Sequence, residues 1–164
     1  MKVHVLQRRQ VVHQPLETVF EFFSRPENLA RLTPETLAFR TLTPSPIVMK
    51  TGTQIDYTIH VLGMPVRWRT LITAYDPPHS FVDEQLKGPY AFWHHRHTFR
   101  SVEEGTEIMD EVHYVVPGGF LAPLAHAMLV RPQLQRIFAF RQETIQTVFA
   151  SGSGAADEAN RRAS

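Results

Sequence analysis

The chain is 164 residues long, enough for one domain with a sizeable buried core. Its 17 basic and 16 acidic side chains nearly cancel, so charge offers no footing for a nucleic-acid partner, although nine histidines would add positive charge at mildly acid pH. Cysteine is absent, which excludes disulfides and thiolate metal sites, and no segment is long and apolar enough to span a membrane. The first residues, Met1-Lys2-Val3-His4-Val5, lack the apolar run of an export signal, so the expectation is a cytoplasmic protein with no membrane insertion.

Lys2 to Val12 reads as a first strand. Pro15 suits the first turn of a helix, where a missing N–H costs nothing, and Leu16, Val19, Phe20 and Phe23 recur at helical spacing to make one buried stripe. Ser24 and Pro26 repeat the start signal for a second short helix, Glu27 to Leu32, closed by Thr33-Pro34. From Leu37 to Val116 the pattern is almost all strand. Leu37 to Thr43 is the first candidate; Gln54 to Leu62 follows, with Ile55, Tyr57, Ile59 and Val61 on one face. A hairpin at Gly63-Met64 returns the chain through Val66, Trp68, Thr70 and Ile72, setting Ile59 opposite Trp68 and Tyr57 opposite Thr70 and turning Arg67 and Arg69 to solvent.

Asp76-Pro77-Pro78-His79 breaks the sheet and Ser80 to Lys87 resumes it. Pairing Tyr75 with Ser80 turns Phe81, Asp83 and Gln85 inward, and a connection at Gly88-Pro89-Tyr90 sets Gln85 beside Trp93 and Asp83 beside His95. The next strand puts Trp93, His95, His97 and Phe99 on the inner face, with His94 and Arg96 outside. Across the turn at Glu103-Glu104, pairing Val102 with Gly105 places His97 opposite Asp110 and Trp93 opposite Tyr114. Asp110 is then the single charge on a face otherwise made of Ile108, Val112, Tyr114 and Val116.

Pro117-Gly118-Gly119 ends the sheet. Beyond it Phe120, Leu121, Leu124, Met128 and Leu129 keep helical periodicity, as do Leu134, Ile137, Phe138, Ile145 and Val148 after Pro132. That proline predicts a kink or a restart, with Pro132 in the first turn of the second segment, and Arg141 falls within the apolar stripe. Residues 1–149 read as a single domain, and 150–164 as a disordered tail.

The order strand, two short helices, about six strands, long helix is an α+β layout. Pro15-Leu16-Glu17-Thr18-Val19-Phe20-Glu21-Phe22-Phe23, Pro26-Glu27-Asn28-Leu29-Ala30-Arg31-Leu32-Thr33-Pro34, Asp76-Pro77-Pro78 and the histidine strand together resemble the SRPBCC superfamily, which includes START lipid-transfer domains, the birch pollen allergen and polyketide cyclase/dehydrases. The resemblance covers residues 2–149 and is nearest to the small bacterial ligand-binding SRPBCC proteins. It implies a helix-grip fold: a curved antiparallel sheet of about seven strands wrapped around a long C-terminal helix, with a cavity between them for a hydrophobic molecule. Carriers, sensors and enzymes share this superfamily, so activity has to be argued from the site.

Read on their own, the strand faces place Asp83, Gln85, His95, His97 and Asp110 among Tyr57, Trp68, Trp93 and Tyr114. A buried carboxylate must find a partner or a proton, and His97 is the nearest candidate for Asp110. The plain reading is a structural His–Asp hydrogen bond. The functional one is binding of a small hydrophobic or aromatic molecule, its polar end met by the His/Asp/Gln set, with Tyr57, Trp68, Asp83, Gln85, Trp93, His95, His97, Asp110, Tyr114 and Arg141 as its contacts. The alternative function is a polyketide cyclase/dehydrase-type enzyme, with His97 or His95 as acid–base and Asp110 orienting it. A subunit that presents the outer sheet surface to another protein is a third class. His95-Arg96-His97 has the spacing of zinc or iron ligands, with Asp110 or Asp83 as a third. His-x-His is common, however, and the pockets of this superfamily usually work without metal, so no metal and no cofactor is expected.

Overall fold

The structure is a computed structural model that describes residues 2–162, with side chains through residue 150. Strand β1 (His4–Val12) leads into helix α1 (Leu16–Phe23), which buries Val19, Phe20 and Phe23 as their spacing requires. Pro15 stands just before that helix in an extended conformation (φ −60°, ψ 150°), where the absent N–H is not missed. The expected second helix is a single tight 3₁₀ turn, Pro26–Ala30. The expected strand from Leu37 to Thr43 is shorter still. Glu35–Leu37 forms another 3₁₀ turn, Ala38 is left-handed at φ 44°, and only β2 (Arg40–Thr41) pairs.

Five longer strands follow: β3 (Gln54–Val61), β4 (Met64–Asp76), β5 (Ser80–Lys87), β6 (Phe92–Val102) and β7 (Gly105–Val115). All seven join one antiparallel sheet in the order β1-β7-β6-β5-β4-β3-β2, with β1 and β2 at its edges. The chain then turns through α2 (Ala122–Ala125) and a π turn, His126–Val130, into α3 (Arg131–Arg162). Pro132 is the second residue of α3, and the π turn directly before it accommodates the missing N–H. No helix among the described residues is long and apolar enough to cross a membrane. The helical backbone continues to Arg162; the side chains of 151–162, and residues 163–164, on which most of the expected disordered tail falls, lie outside the described residues.

Strand register decides which residues meet. The β6–β7 hairpin pairs Val102 with Gly105, His97 with Asp110 and Trp93 with Tyr114, as the short turn predicts. Gly105 is obligatory there: its φ is +134°, and a Cβ would lie 2.2 Å from the carbonyl oxygen of Val12. Between β5 and β6, Asp83 faces His95. The β3–β4 hairpin differs from expectation by two residues. Tyr57 pairs with Trp68 and Ile59 with Val66, because the turn is Leu62-Gly63, with both residues at positive φ (52° and 78°), rather than Gly63-Met64. A slip of two leaves every side chain on its expected face. β4 and β5 begin with Tyr75 opposite Phe81 instead of Ser80, and a bulge between Ile72 and Ala74 restores Ile72 to Asp83 and Thr70 to Gln85.

Two apolar clusters lie between sheet and helix. One gathers Val12, Val19, Phe20, Phe23, Phe81, Phe99, Ile108, Ile145 and Phe149; the other gathers Leu6, Trp68, Trp93, Val112, Tyr114, Leu134 and Phe138. Strand β6 crosses both: Trp93 belongs to the second, Phe99 to the first, and His95 and His97 lie at the seam between them.

The outer sheet face is held by exposed ion pairs. Asp56 receives Arg69 through two hydrogen bonds of 2.7 and 2.8 Å and Arg67 through one of 2.8 Å. The hydrogen bond from Arg69 is the largest influence and, with Arg67, holds the Asp56 carboxyl well below the usual carboxylate range against the opposing pull of desolvation. A depressed folded-state pKa stabilises above the unfolded carboxylate value, and that contribution is lost as the pH falls below it. Asp56→Asn should therefore lower stability by at most about 1 kcal/mol near neutrality, since the guanidinium groups are in water, and by less at about pH 3. Urea denaturation of both proteins at the two pH values measures the difference.

Candidate functional site

A cavity of about 370 Å³ lies between the β3–β6 part of the sheet and α3. Ile55, Tyr57, Ile59, Trp68, Ile72, Phe81 and Trp93 supply its sheet wall, while Leu134, Ile137, Phe138 and Arg141 close it from the helix. One part of this largely apolar wall is polar, and it is made by Asp83, His95 and His97.

The inner positions of three adjacent strands build that polar end. Asp83 comes from β5, His95 and His97 from β6 and Asp110 from β7, the last lying behind the two rings rather than on the cavity wall. His95, His97 and Asp110 are 4 %, 3 % and 3 % exposed, so their charges have to be met internally. Each imidazole touches both carboxylates. Asp110 Oδ1 lies 3.0 Å from His95 Nε2 and 2.9 Å from His97 Nδ1; Asp83 Oδ2 lies 2.9 Å from His97 Nε2 and 3.5 Å from His95 Nδ1. The contact at His97 Nδ1 is close but bent, and that nitrogen has no well-formed hydrogen bond. The two rings stand 3.8 Å apart, and Phe81 stacks on His97 at 4.2 Å.

These contacts set the charge states. Burial alone would raise both carboxyls. Asp110 is instead held well below the usual range by the Arg141 guanidinium and the two histidine contacts, and Asp83 is lowered by His95, His97 and Arg141. Burial and repulsion from His97 push His95 down, whereas at His97 the contacts with Asp110 and Asp83 outweigh burial and push it up. The pair therefore holds one ring that favours its proton and one that sheds it. Arg141 stands with its guanidinium carbon 5.4 Å from the centre of the Phe23 ring, and its Nε is buried without a partner.

Of the residues singled out in the sequence, Tyr57, Trp68, Asp83, Trp93, His95, His97 and Arg141 line the cavity. Gln85 does not line it: its amide donates to the Tyr90 carbonyl at 2.8 Å and accepts from the Tyr90 N–H at 3.2 Å, serving a connection in which Pro89 has no N–H to offer. Tyr114 is also absent from the wall; its hydroxyl is hydrogen-bonded with His126 Nε2 at 2.9 Å. His94 and His113 face outward, beside Glu84 at 2.8 Å and Glu111 at 3.1 Å. The sequence reading missed Tyr90, Phe81 and the helix residues Gln133, Leu134, Ile137 and Phe138 as lining residues. The helix residues were legible as an apolar stripe, but nothing in their spacing distinguishes a cavity wall from a filled core.

Trp68 gives a second polar feature. It is 6 % exposed, lies on the cavity wall, and its Nε1–H has no acceptor. Tyr57, by contrast, has its hydroxyl 3.4 Å from Thr70 Oγ1, and burial pushes its ionisation far up, so it is a neutral phenol. Asp83, His95 and His97 also present donor atoms within 4.8 Å of one another, close enough to hold a metal ion.

Several solved structures share this fold. TTHA0849 of Thermus thermophilus is 15% identical with a TM-score of 0.70, covering 93% of this chain and 99% of its own. The Zhui aromatase/cyclase of Streptomyces sp. R1128 is 15% identical with a TM-score of 0.65, covering 92% and 99%. The ginseng major latex-like protein 151 of Panax ginseng is 11% identical with a TM-score of 0.64, covering 90% and 97%. At such identities the likeness speaks for the fold, which is the helix-grip α+β fold expected from the sequence. No curated protein matches the chain in sequence. Residues 12–141 match the model of the family described as "polyketide cyclase / dehydrase and lipid transport", and with most of the chain covered, the protein belongs to that family.

Proposed function

We propose that the protein binds one small hydrophobic or aromatic molecule in the cavity, with the polar end of that molecule against Asp83, His95 and His97. The observation that carries this reading is a largely apolar chamber of about 370 Å³ with the buried His95 and His97 and the half-buried Asp83 together on its wall. Unpartnered buried donors support it further: Trp68 Nε1 and Arg141 Nε lack acceptors, and a carbonyl or phenolate oxygen on the guest would supply one. Asp110 orients the two rings from behind. Gln85 and Tyr114 have no part in the contact, because both are spent on other partners.

A second reading, an enzyme of cyclase/dehydrase type, is favoured by one specific observation. The two imidazoles are driven in opposite directions, His97 toward its charged form and His95 toward its neutral one, as an acid and a base would need to be. In this reading His97 donates a proton to an oxygen of the guest, His95 removes one from an adjacent carbon, and Asp110 holds both rings. The name of the Zhui aromatase/cyclase, a protein of the same fold, is compatible with it.

Native mass spectrometry of the protein recovered from its own host should show a co-purifying apolar molecule of one mass. His97→Ala then separates the two readings. For a carrier, affinity for that molecule falls about tenfold, the loss of roughly one charge-assisted hydrogen bond. For an enzyme, the molecule stays bound and its conversion slows by a factor of about 100 or more. Protein that carries no guest and binds none on addition would contradict both.

A further inference from the structure

We propose that Asp83, His95 and His97 form a binding site for one divalent transition-metal ion, zinc or ferrous iron, with Asp110 as the carboxylate that fixes both rings. The sequence alone offered a His-x-His pair with either aspartate as a third ligand. The structure separates the two aspartates into different positions. Asp110 Oδ1 stands against the far nitrogen of both rings, at 3.0 Å from His95 Nε2 and 2.9 Å from His97 Nδ1, and does not reach the cavity. Asp83 Oδ2 stands against the near nitrogens, 2.9 Å from His97 Nε2 and 3.5 Å from His95 Nδ1, on the cavity wall.

This division matches what a metal centre needs. Histidine ligands present one nitrogen to the metal and hand the other N–H to a carboxylate, which sets the tautomer and the ring orientation. Here Asp110 Oδ1 is hydrogen-bonded to His95 Nε2 and lies 2.9 Å from His97 Nδ1 in a bent contact, so one carboxylate is placed to serve both rings. With Asp110 on the far side, His95 Nδ1 and His97 Nε2 are both turned to Asp83 Oδ2, and the three residues offer donor atoms within 4.8 Å of one another. At metal–ligand distances of about 2.0–2.1 Å, donors around a tetrahedral ion stand about 3.3 Å apart, a value between the two observed Asp83 contacts. In the metal-free arrangement the proton of the hydrogen bond between His97 and Asp83 occupies this region. The ion takes its place and the proton goes to solvent.

Charge and access agree with the ligand set. Asp83 and Asp110 face one guanidinium, Arg141, so once the proton between His97 and Asp83 has left, the two carboxylates outnumber the remaining cation and favour a metal ion in its place. Two histidines and one carboxylate leave coordination positions open toward the cavity, as catalytic zinc and non-haem iron sites do, and nitrogen and oxygen donors without thiolate suit those ions. A guest in the cavity would then meet the ion with its polar end. Forming the site requires no guest, so it stands or falls separately from the proposed ligand binding.

Chelator-treated full-length protein, titrated with cobalt(II) in the absence of any organic ligand, tests the proposal, with zinc competing for the bound cobalt. The expected result is one equivalent of cobalt with the visible spectrum of a four- or five-coordinate ion, displaced by one equivalent of zinc. Asp83→Asn and His95→Gln should each weaken binding about 100-fold or more, and Asp110→Asn about 10- to 100-fold. The half-buried pair His94 and His113, with ring centres 6.2 Å apart on the opposite face, is the obvious competitor for metal. A His94→Ala, His113→Ala double variant should leave the titration unchanged, and circular dichroism identifies any variant that fails to fold. Wild-type protein that binds no cobalt or zinc at 100-fold molar excess overturns the proposal, as does binding that survives Asp83→Asn and disappears in the double variant.

Discussion

Phe99→Ala should destabilise the protein by about 3–5 kcal/mol while leaving the cavity wall intact. Phe99 is 1 % exposed and packs edge-on against Phe20 at 5.4 Å and Phe23 at 5.1 Å, with Phe81 stacked at 6.0 Å. It joins β6 to α1 in the apolar cluster where the sheet, α1 and α3 meet, and α3 contributes Ile145 and Phe149 there. No neighbour is free to collapse into the space, because the strand fixes the backbone and the surrounding rings already touch one another. Since domains of this size are stable by only about 5–15 kcal/mol, the variant loses a large fraction of its margin. Urea denaturation would show a lower midpoint at an unchanged slope. A loss under about 1 kcal/mol would mean that this cluster does not hold the sheet to the helices.

Asp110→Ala should cost about as much, 3–5 kcal/mol, for a different reason. The substitution removes little volume but leaves His95 and His97 without their shared acceptor and deprives Arg141 of a countercharge, all in surroundings that exclude water. Asp110→Asn keeps one oxygen acceptor and loses the charge, so it should fall between the alanine variant and the native protein, at about 1–3 kcal/mol. Removing a partner first reduces the effect: in a His97→Phe background the further cost of Asp110→Ala should shrink by about 1 kcal/mol or more. Denaturation of the single and double variants, all treated with chelator, gives the coupling energy. Additive losses would show that the carboxylate and the ring act independently, against the contacts seen.

Much of this arrangement is legible in the sequence because a strand's side chains alternate and a short turn fixes its register. Val102-Glu103-Glu104-Gly105 permits one pairing, and from it His97 opposite Asp110 follows. The same logic sets Asp83 beside His95 across Gly88-Pro89-Tyr90. At Gly63 the turn lies one position earlier than the rule places it. Leucine at positive φ is unfavourable, so nothing in the residue itself marks Leu62 as the first turn position. Register also says nothing about where side chains lean. His97 does face Asp110, yet each ring reaches both carboxylates, and that diagonal exchange depends on side-chain torsions that no periodicity encodes. Gln85 shows the converse: an inward polar residue beside a turn serves the backbone of that turn before it serves a ligand. The cavity itself is not readable from residue types, since Trp68 and Phe138 would look the same in a solid core.

The chain contains two tryptophans, Trp68 and Trp93, and both line the cavity, so tryptophan emission, excited beyond the tyrosine absorption band, reports on the cavity. Titration with 2-naphthol, an aromatic body with one hydroxyl, is the most direct test of a chamber that takes a greasy guest with a polar end. Saturable quenching at one molecule per chain, weakened by His97→Ala, is the predicted result. Emission that does not change, or that falls linearly with added naphthol and equally in the variant, would contradict it.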